Sequence, residues 1–254
     1  MSRPASKRGL GQHFLVDENI LGVIARLAEL GPGDSVLEIG PGLGVLTRHL
    51  AARVARVHAV ELDRSLEPHL AGLPENVSVH YGDALSLDLA ALEPTKLVAN
   101  LPYNVATPIV VESLDGLPTV GLWCVMVQRE VADRFFARPS TKAYGAVSVL
   151  LQLASERTGF HAVSRQVFRP RPNVESALVA FRRTELPDGY RRIKRVVEAS
   201  FGHRRKTLPN SLAFAGLASR AEAAAALEAI GHRPETRAEE LEPPEFVALA
   251  RELP

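Results

Sequence analysis

The chain has 254 residues, 46% hydrophobic and 23% charged, with a formal net charge of +1 and a single cysteine. That length supports one full core of about 150 to 200 residues plus a smaller unit, and no run approaches the roughly 18 to 20 apolar residues of a membrane helix. The charged start "MSRPASKRG" lacks a signal peptide's apolar segment, one cysteine excludes an intrachain disulfide, and eight histidines stand without ligand spacing, so a cytoplasmic, metal-free protein is expected.

The first element, "ENILGVIARLAEL", has helical spacing at Ile20, Ile24 and Leu27, and Asp17 can cap it. Short apolar runs then alternate with amphipathic segments. "SVLEIG", "VARVHAVEL", "NVSVHYG" and "KLVAN" read as strands, separated by stretches such as "LGVLTRHLAAR" and "DRSLEPHLAGL". This alternation predicts a parallel sheet wrapped by helices, an α/β fold of Rossmann-like type.

Each strand end carries chemistry. "VLEIGPGLGVL" puts Gly40, Gly42 and Gly44 between a strand and a helix, where the backbone can turn tightly and approach a ligand. Glu61 ends the second strand, 21 residues after Gly40, at a spacing suited to both ribose hydroxyls; Asp83 follows the third and can accept from an adenine amine. Either acid alone reads as a cap or a surface charge. Three strand ends together line one crevice. The turn runs E-x-G-x-G-x-G, with Glu38 before it and no phosphate-binding feature on the following helix, which favours S-adenosylmethionine over a dinucleotide.

The fourth strand ends in "NLPY". Pro102 fixes its own backbone angle and biases Leu101 toward an extended form, so the loop is stiff. It can aim the Asn100 side-chain oxygen and the Leu101 carbonyl at one amino group, while Tyr103 stacks on the base. An adenine N6 is a poor nucleophile because its lone pair is delocalised, and two acceptors would direct that pair at a methyl carbon. Asparagine is no base at neutral pH, so the scheme is positioning and electrostatics.

Cys124 lies in the apolar run "VGLWCVMV" and reads as a buried structural thiol. After it come a helix, "AYGAVSVLLQLAS", and two strand-like runs, "RTGFHAV" and "SALVAFRR". Between these runs, "VFRPRPNVES" supplies Phe168 in a proline-stiffened loop with Arg165, Arg169 and Arg171. Phe168 is expected to cover the second face of an extruded base. From Thr184 the segments turn helical, so the expected division is residues 1–184, with 1–16 as an arm, and a helical unit over 185–254. Residues 157–206 hold 13 basic against 4 acidic residues, and the segments on either side are each net −4. So concentrated an excess suits a polyanionic partner.

The motifs "GQHFL", "EIGPGLGVLT", "VELD", "NLPYNVATP", "QRE", "KAYGAVSV", "FRPRPNVESALV" and "FGHRRKTLPNSL" span nearly the whole chain. With them the sequence resembles the rRNA adenine N6,N6-dimethyltransferase family, in its small-subunit branch. The resemblance implies a methyltransferase domain with a helical C-terminal domain, acting as a monomer on two adjacent adenines near the 3′ end of 16S rRNA in the assembling small subunit. It also implies that Gln12, His13 and Leu15 close over the donor, that Gly40 and Gly42 approach its amino-acid part, and that Glu61 and Asp83 take its ribose and adenine. Asn100 would serve donor and target amine alike. Arg191, Arg192, Lys194, Arg195, Arg204, Arg205 and Lys206 would hold the RNA backbone without reading its sequence. His13 stands where the family often has Asn, and "PNVES" where "PKVDS" is common. Three rivals remain: dimethylation of large-subunit rRNA, a non-catalytic RNA-binding factor on the same fold, and DNA or protein-glutamine methylation, whose usual N-P-P-Y loop Leu101 disfavours.

Overall fold

The structure is a computed structural model and describes residues 13–15, 17–203 and 205–254. Two compact units emerge, the first drawn from residues up to Ala132 and from Arg157–Arg183, the second from Asp133–Glu156 and Thr184–Pro254.

The first unit opens with β1 (Phe14–Leu15) and α1 (Glu18–Leu27). Asp17 caps α1 as expected, its carboxylate accepting from the Asn19 N–H at 2.8 Å. Then follow β2 (Ser35–Ile39), α2 (Val45–Ala51), β3 (Arg56–Glu61), the short α3 (Glu67–Leu70), β4 (Val77–Tyr81), β5 (Lys96–Asn100), α4 (Ala106–Gly116) and β6 (Leu122–Gln128). After α5 (Arg129–Phe135) and α6 (Ala146–Ala154) come β7 (Ser155–Val163), β8 (Phe168–Arg169) and β9 (Ser176–Arg183). Among the described residues, seven strands form one sheet in the order β4-β3-β2-β5-β6-β9-β7. The pairs from β4 through β6 are parallel and β9 runs antiparallel to β6.

Strand alternation decides which helix each residue meets. In β6, Leu122, Cys124 and Met126 join the cluster that holds Ile20, Leu21 and Ile24 of α1 and Leu46 and Leu50 of α2. Trp123 points the other way, donating its indole N–H to Ser113 of α4 at 2.8 Å and stacking on Phe181 with centroids 5.2 Å apart. Each fully buried aliphatic contributes roughly 1.5–3 kcal/mol. Burial pushes the Cys124 thiol up to about 12, so it remains an unreactive packing group. Arg183 closes the C-terminal end of α4, donating to the carbonyls of Leu114, Leu117 and Val120 at 2.7, 2.7 and 2.6 Å.

The second unit contains α6, α7 (Tyr190–Phe201), α8 (Leu208–Phe214), α9 (Arg220–Ala229) and α10 (Pro243–Glu252). Its centre is aromatic: Tyr144 meets Phe201 edge-on, and Phe201 packs against Phe246, each at 5.8 Å. The alanine-rich α9 begins with a reciprocal capping box between Ser219 and Glu222. A single cut at 184 does not describe these units. The segment 133–156, expected in the first, clusters with the second, because α6 packs with α7 and Tyr144 donates to the Leu241 carbonyl at 2.7 Å. No helix among the described residues is long and apolar enough to cross a membrane.

Candidate active site

β2 lies between β3 and β5 in the sheet, so the chain's crossovers diverge there, and loops at the carboxyl ends of the strands open a crevice. That crevice, counted out to solvent, encloses about 1120 Å³ and is lined by His13, Leu15, Gly40, Gly42, Glu61, Asp83, Asn100, Leu101 and Tyr103, all expected site residues. Gln12, also expected here, lies outside the described residues.

The glycine turn forms the floor. Gly40 and Gly42 have φ of +76° and +60°, angles that disfavour any side chain. A Cβ on Gly40 would meet the Pro102 ring at 3.3 Å, and one on Gly42 would meet the Phe14 ring at 2.9 Å. Glycine thus lets the β2 turn touch both the β5 loop and β1. Phe14, which lines the crevice and closes over Gly42, was not singled out from sequence, since only β1 pairing brings it there.

Glu61 accepts two backbone N–H groups, Asp63 on Oε1 at 2.8 Å and Gly42 on Oε2 at 3.1 Å. These bonds tie the second strand end to the glycine turn, although burial, the larger effect, still raises the carboxyl's pKa. Deeper in, Glu38 is 1% exposed, and burial lifts its pKa to about 8, with Thr47 opposing and the Glu61 charge adding. Glu38 Oε2 and the Thr47 hydroxyl have no hydrogen-bond partner of normal geometry among the described residues. Asp83 is exposed at the rim and accepts the Leu85 N–H at 2.9 Å, an Asx turn that orients its carboxylate.

The Asn100 carboxamide is oriented by a backbone carbonyl. Its Nδ2 donates to His13 O at 3.0 Å, and its Oδ1 is buried with no partner among the described residues. A carbonyl only accepts, so the nitrogen must face His13 and the oxygen must face away from it. Pro102 O accepts the Val105 N–H at 3.1 Å, and the Leu101 N–H is taken by Met126 O at 3.1 Å, which pins the loop to the sheet. Tyr103 is half-buried, its hydroxyl 2.6 Å from Ser176 Oγ and its ring centroid 5.4 Å from that of His13. Ser176, in "PNVES", is a supporting residue missed from sequence because its partner lies 73 positions away. The His13 ring, in turn, is held by the Pro170 carbonyl at 2.9 Å from Nδ1.

Phe168 corrects the sequence expectation. Rather than facing a base, it is fully buried, paired with Leu15 across the β1–β8 ladder and packed in the core cluster. The two-residue pairing turns the ring inward, where burial of a phenyl outweighs exposure at the rim. The arginines around it are exposed. Arg165 faces Glu175 at 3.7 Å, Arg169 donates to the Phe168 carbonyl at 3.1 Å, and Arg171 lies at the surface.

The remaining basic residues belong to the second unit. Arg191, Arg195, Arg205 and Lys206 are exposed and Lys194 is partly so, while Arg204 lies outside the described residues. Arg192 is also exposed, and its guanidinium donates to the carbonyls of Ala250, Leu253 and Pro254 at 2.9, 2.6 and 2.7 Å, where it caps α10. No group of three or more His, Cys, Asp or Glu among the described residues is placed to hold a metal ion.

Known proteins resemble this chain over nearly its full length. A family model described as ribosomal RNA adenine dimethylase matches residues 4–253. The ribosomal RNA small subunit methyltransferase A of Rubrobacter xylanophilus is 48% identical over 256 residues, covering 98% of this chain and 96% of its own. Among solved structures, the 23S rRNA methyltransferase ErmE is 31% identical with a TM-score of 0.65, over 94% of this chain and 99% of that one. A dimethyladenosine transferase from Plasmodium falciparum, 22% identical, shares the fold with a TM-score of 0.76 over 93% of this chain and 96% of that one.

Proposed function

Because the chain belongs to the ribosomal RNA adenine dimethylase family, we propose that it methylates N6 of two adjacent adenines near the 3′ end of 16S rRNA, using S-adenosylmethionine. It acts as a cytoplasmic monomer on the assembling small subunit. The observation that carries the reading is the Asn100 carboxamide, whose nitrogen is tied to His13 and whose oxygen is buried and unsatisfied among the described residues. A buried acceptor left open costs about 1–3 kcal/mol unless a bound donor fills it, and an adenine amine is such a donor.

The crevice residues suit the methyl donor. Gly40 and Gly42 leave room that a Cβ would fill, Glu61 offers a carboxylate already aligned by two backbone N–H groups, and Asp83 stands at the rim. S-adenosylmethionine, when bound, supplies an electrophilic methyl carbon. The chain's part is positional: Asn100 Oδ1 and the Leu101 carbonyl accept hydrogen bonds from the N6 amino group, which favours a pyramidal nitrogen with a directed lone pair. Tyr103, braced through its hydroxyl by Ser176, offers a ring to the base. No side chain needs to act as a base before methyl transfer, since the proton is lost from the cationic product.

Small-subunit rRNA is favoured by the 48% identity to a small subunit methyltransferase and by the "RRKTLPNSL" segment. The 31% identity to a 23S rRNA enzyme makes large-subunit rRNA the second reading. A labelled-methyl assay offering immature small subunits and free large-subunit rRNA separates them. Two methyls on each of two small-subunit adenines are expected; labelling of large-subunit rRNA alone would reverse the assignment.

A further inference from the structure

Phe214 ends α8, whose buried residues are Leu208, Pro209, Ser211 and Leu212, and it stands outside that stripe at 68% exposure. Single exposed hydrophobics are common, but this ring has a built surrounding. Lys206 Nζ lies over it at 4.7 Å from the centroid, and the His203 ring meets it at 87°, centroids 4.3 Å apart. The exposed Arg205 adjoins Lys206, at the end of the most basic stretch of the chain.

Phe214 is the only exposed large hydrophobic among the described residues of the second unit, and the apolar residues beside it in the chain are small, as Ala213 and Ala215 are, or partly buried, as Leu217 is, which is too little for a protein-docking patch. A flat ring under the Lys206 ammonium, with Arg205 exposed next to it in the chain, fits single-stranded nucleic acid instead, whose bases stack while its phosphates pair with the charges. We propose that Phe214, with Lys206 and Arg205, is a stacking site for an unpaired RNA base, carried by the second unit and separate from the crevice. It rests on the reading of this chain as an enzyme of rRNA and adds to it a contact that orders RNA on the helical unit. Stacking is indifferent to base identity, so the site strengthens binding without choosing the adenines.

The test titrates the full chain with a single-stranded oligouridylate containing 4-thiouridine, a probe that presents no adenine to the crevice. Phe214→Leu keeps apolar volume and removes the ring; Phe214→Trp keeps a ring. The leucine variant is expected to bind about 5- to 100-fold more weakly with an unchanged salt slope, and the tryptophan variant to match wild type. Irradiation is expected to cross-link wild type on the peptide bearing Phe214. Equal affinity of wild type and Phe214→Leu, or cross-links confined to other peptides, would overturn the proposal. Calorimetry with S-adenosylhomocysteine should be the same in all three proteins. Failure of methyl transfer by wild type with Phe214-dependent oligouridylate binding intact would remove the proposed function and leave this site standing.

Discussion

Asn100 and His13 are joined by one hydrogen bond, Nδ2 to the backbone carbonyl at 3.0 Å, and that bond decides which end of the carboxamide can meet a substrate. It couples the strand end of β5 to the residue preceding β1, so the amide is aimed only when the N-terminal segment is seated.

Asn100→Ala removes both the anchor and the open acceptor. Transfer to small subunits is expected to fall at least about 100-fold, the scale seen when a pre-aligned polar group is lost from an active site. RNA affinity should be unchanged. Asn100→Asp should be no better, because a carboxylate has no proton to offer His13. Near-normal turnover by either variant would remove Asn100 from the mechanism.

Gly42→Ala introduces a Cβ at φ +60° that would sit 2.9 Å from the Phe14 ring. Strain at such an angle costs about 1–3 kcal/mol, and Phe14 must move off the turn. A lower Tm together with weaker S-adenosylhomocysteine binding by calorimetry is expected. Unaltered values for both would show that β1 does not depend on this close approach.

Glu61→Gln replaces one carboxylate oxygen with an amide nitrogen, which cannot accept from either Gly42 or Asp63. The orphaned backbone N–H costs about 1–3 kcal/mol. Stability and S-adenosylhomocysteine affinity should fall together; loss of affinity with full stability would mean that the carboxylate serves the ligand alone.

Glu38 predicts a pH dependence. Its pKa rises from 4.5 to about 8 on folding, so between these values the native state holds a proton that the unfolded state has lost. Stability from this group therefore falls as pH rises from about 4.5 to about 8 and levels off above, by a few kcal/mol at most. Glu38→Gln, always neutral, should lack that slope. Urea midpoints of the ligand-free proteins, compared across pH, measure the difference; parallel curves would show that Glu38 titrates normally.

Arg192 and Arg195 lie on one helix and should respond in opposite ways. Arg192→Ala uncouples α7 from the end of α10 and is expected to cost about 1–3 kcal/mol of stability. Arg195→Ala is exposed and should leave Tm in place while lowering the salt slope of RNA binding by about 0.7 to 0.9. An unaffected slope would take Arg195 out of the RNA contact surface.

Much of the fold was legible because it is written locally. The runs "SVLEIG", "VARVHAVEL", "NVSVHYG" and "KLVAN" became β2, β3, β4 and β5, and the Asp17 cap formed as expected. By contrast, "DRSLEPHLAGL" yielded only a 3₁₀ turn and the four-residue α3, since Pro68 and Gly72 leave little helix to propagate. Charge was the weakest guide. Arg183 and Arg192 both counted toward a basic belt, yet both also cap helix ends, and nothing in composition reveals that a guanidinium is bound to backbone carbonyls.

By itself the sequence determined which groups stand at the strand ends: a glycine turn, two acids and a proline-stiffened amide follow from periodicity and backbone angles, which depend on neighbours along the chain. Only the tertiary structure decided which way those groups act. Asn100 takes its orientation from His13, 87 positions away, Tyr103 its brace from Ser176, 73 positions away, and Phe168 its burial from pairing with Leu15. Hydrogen bonding and burial belong to pairs of groups, and such pairs exist only after distant segments have closed on one another.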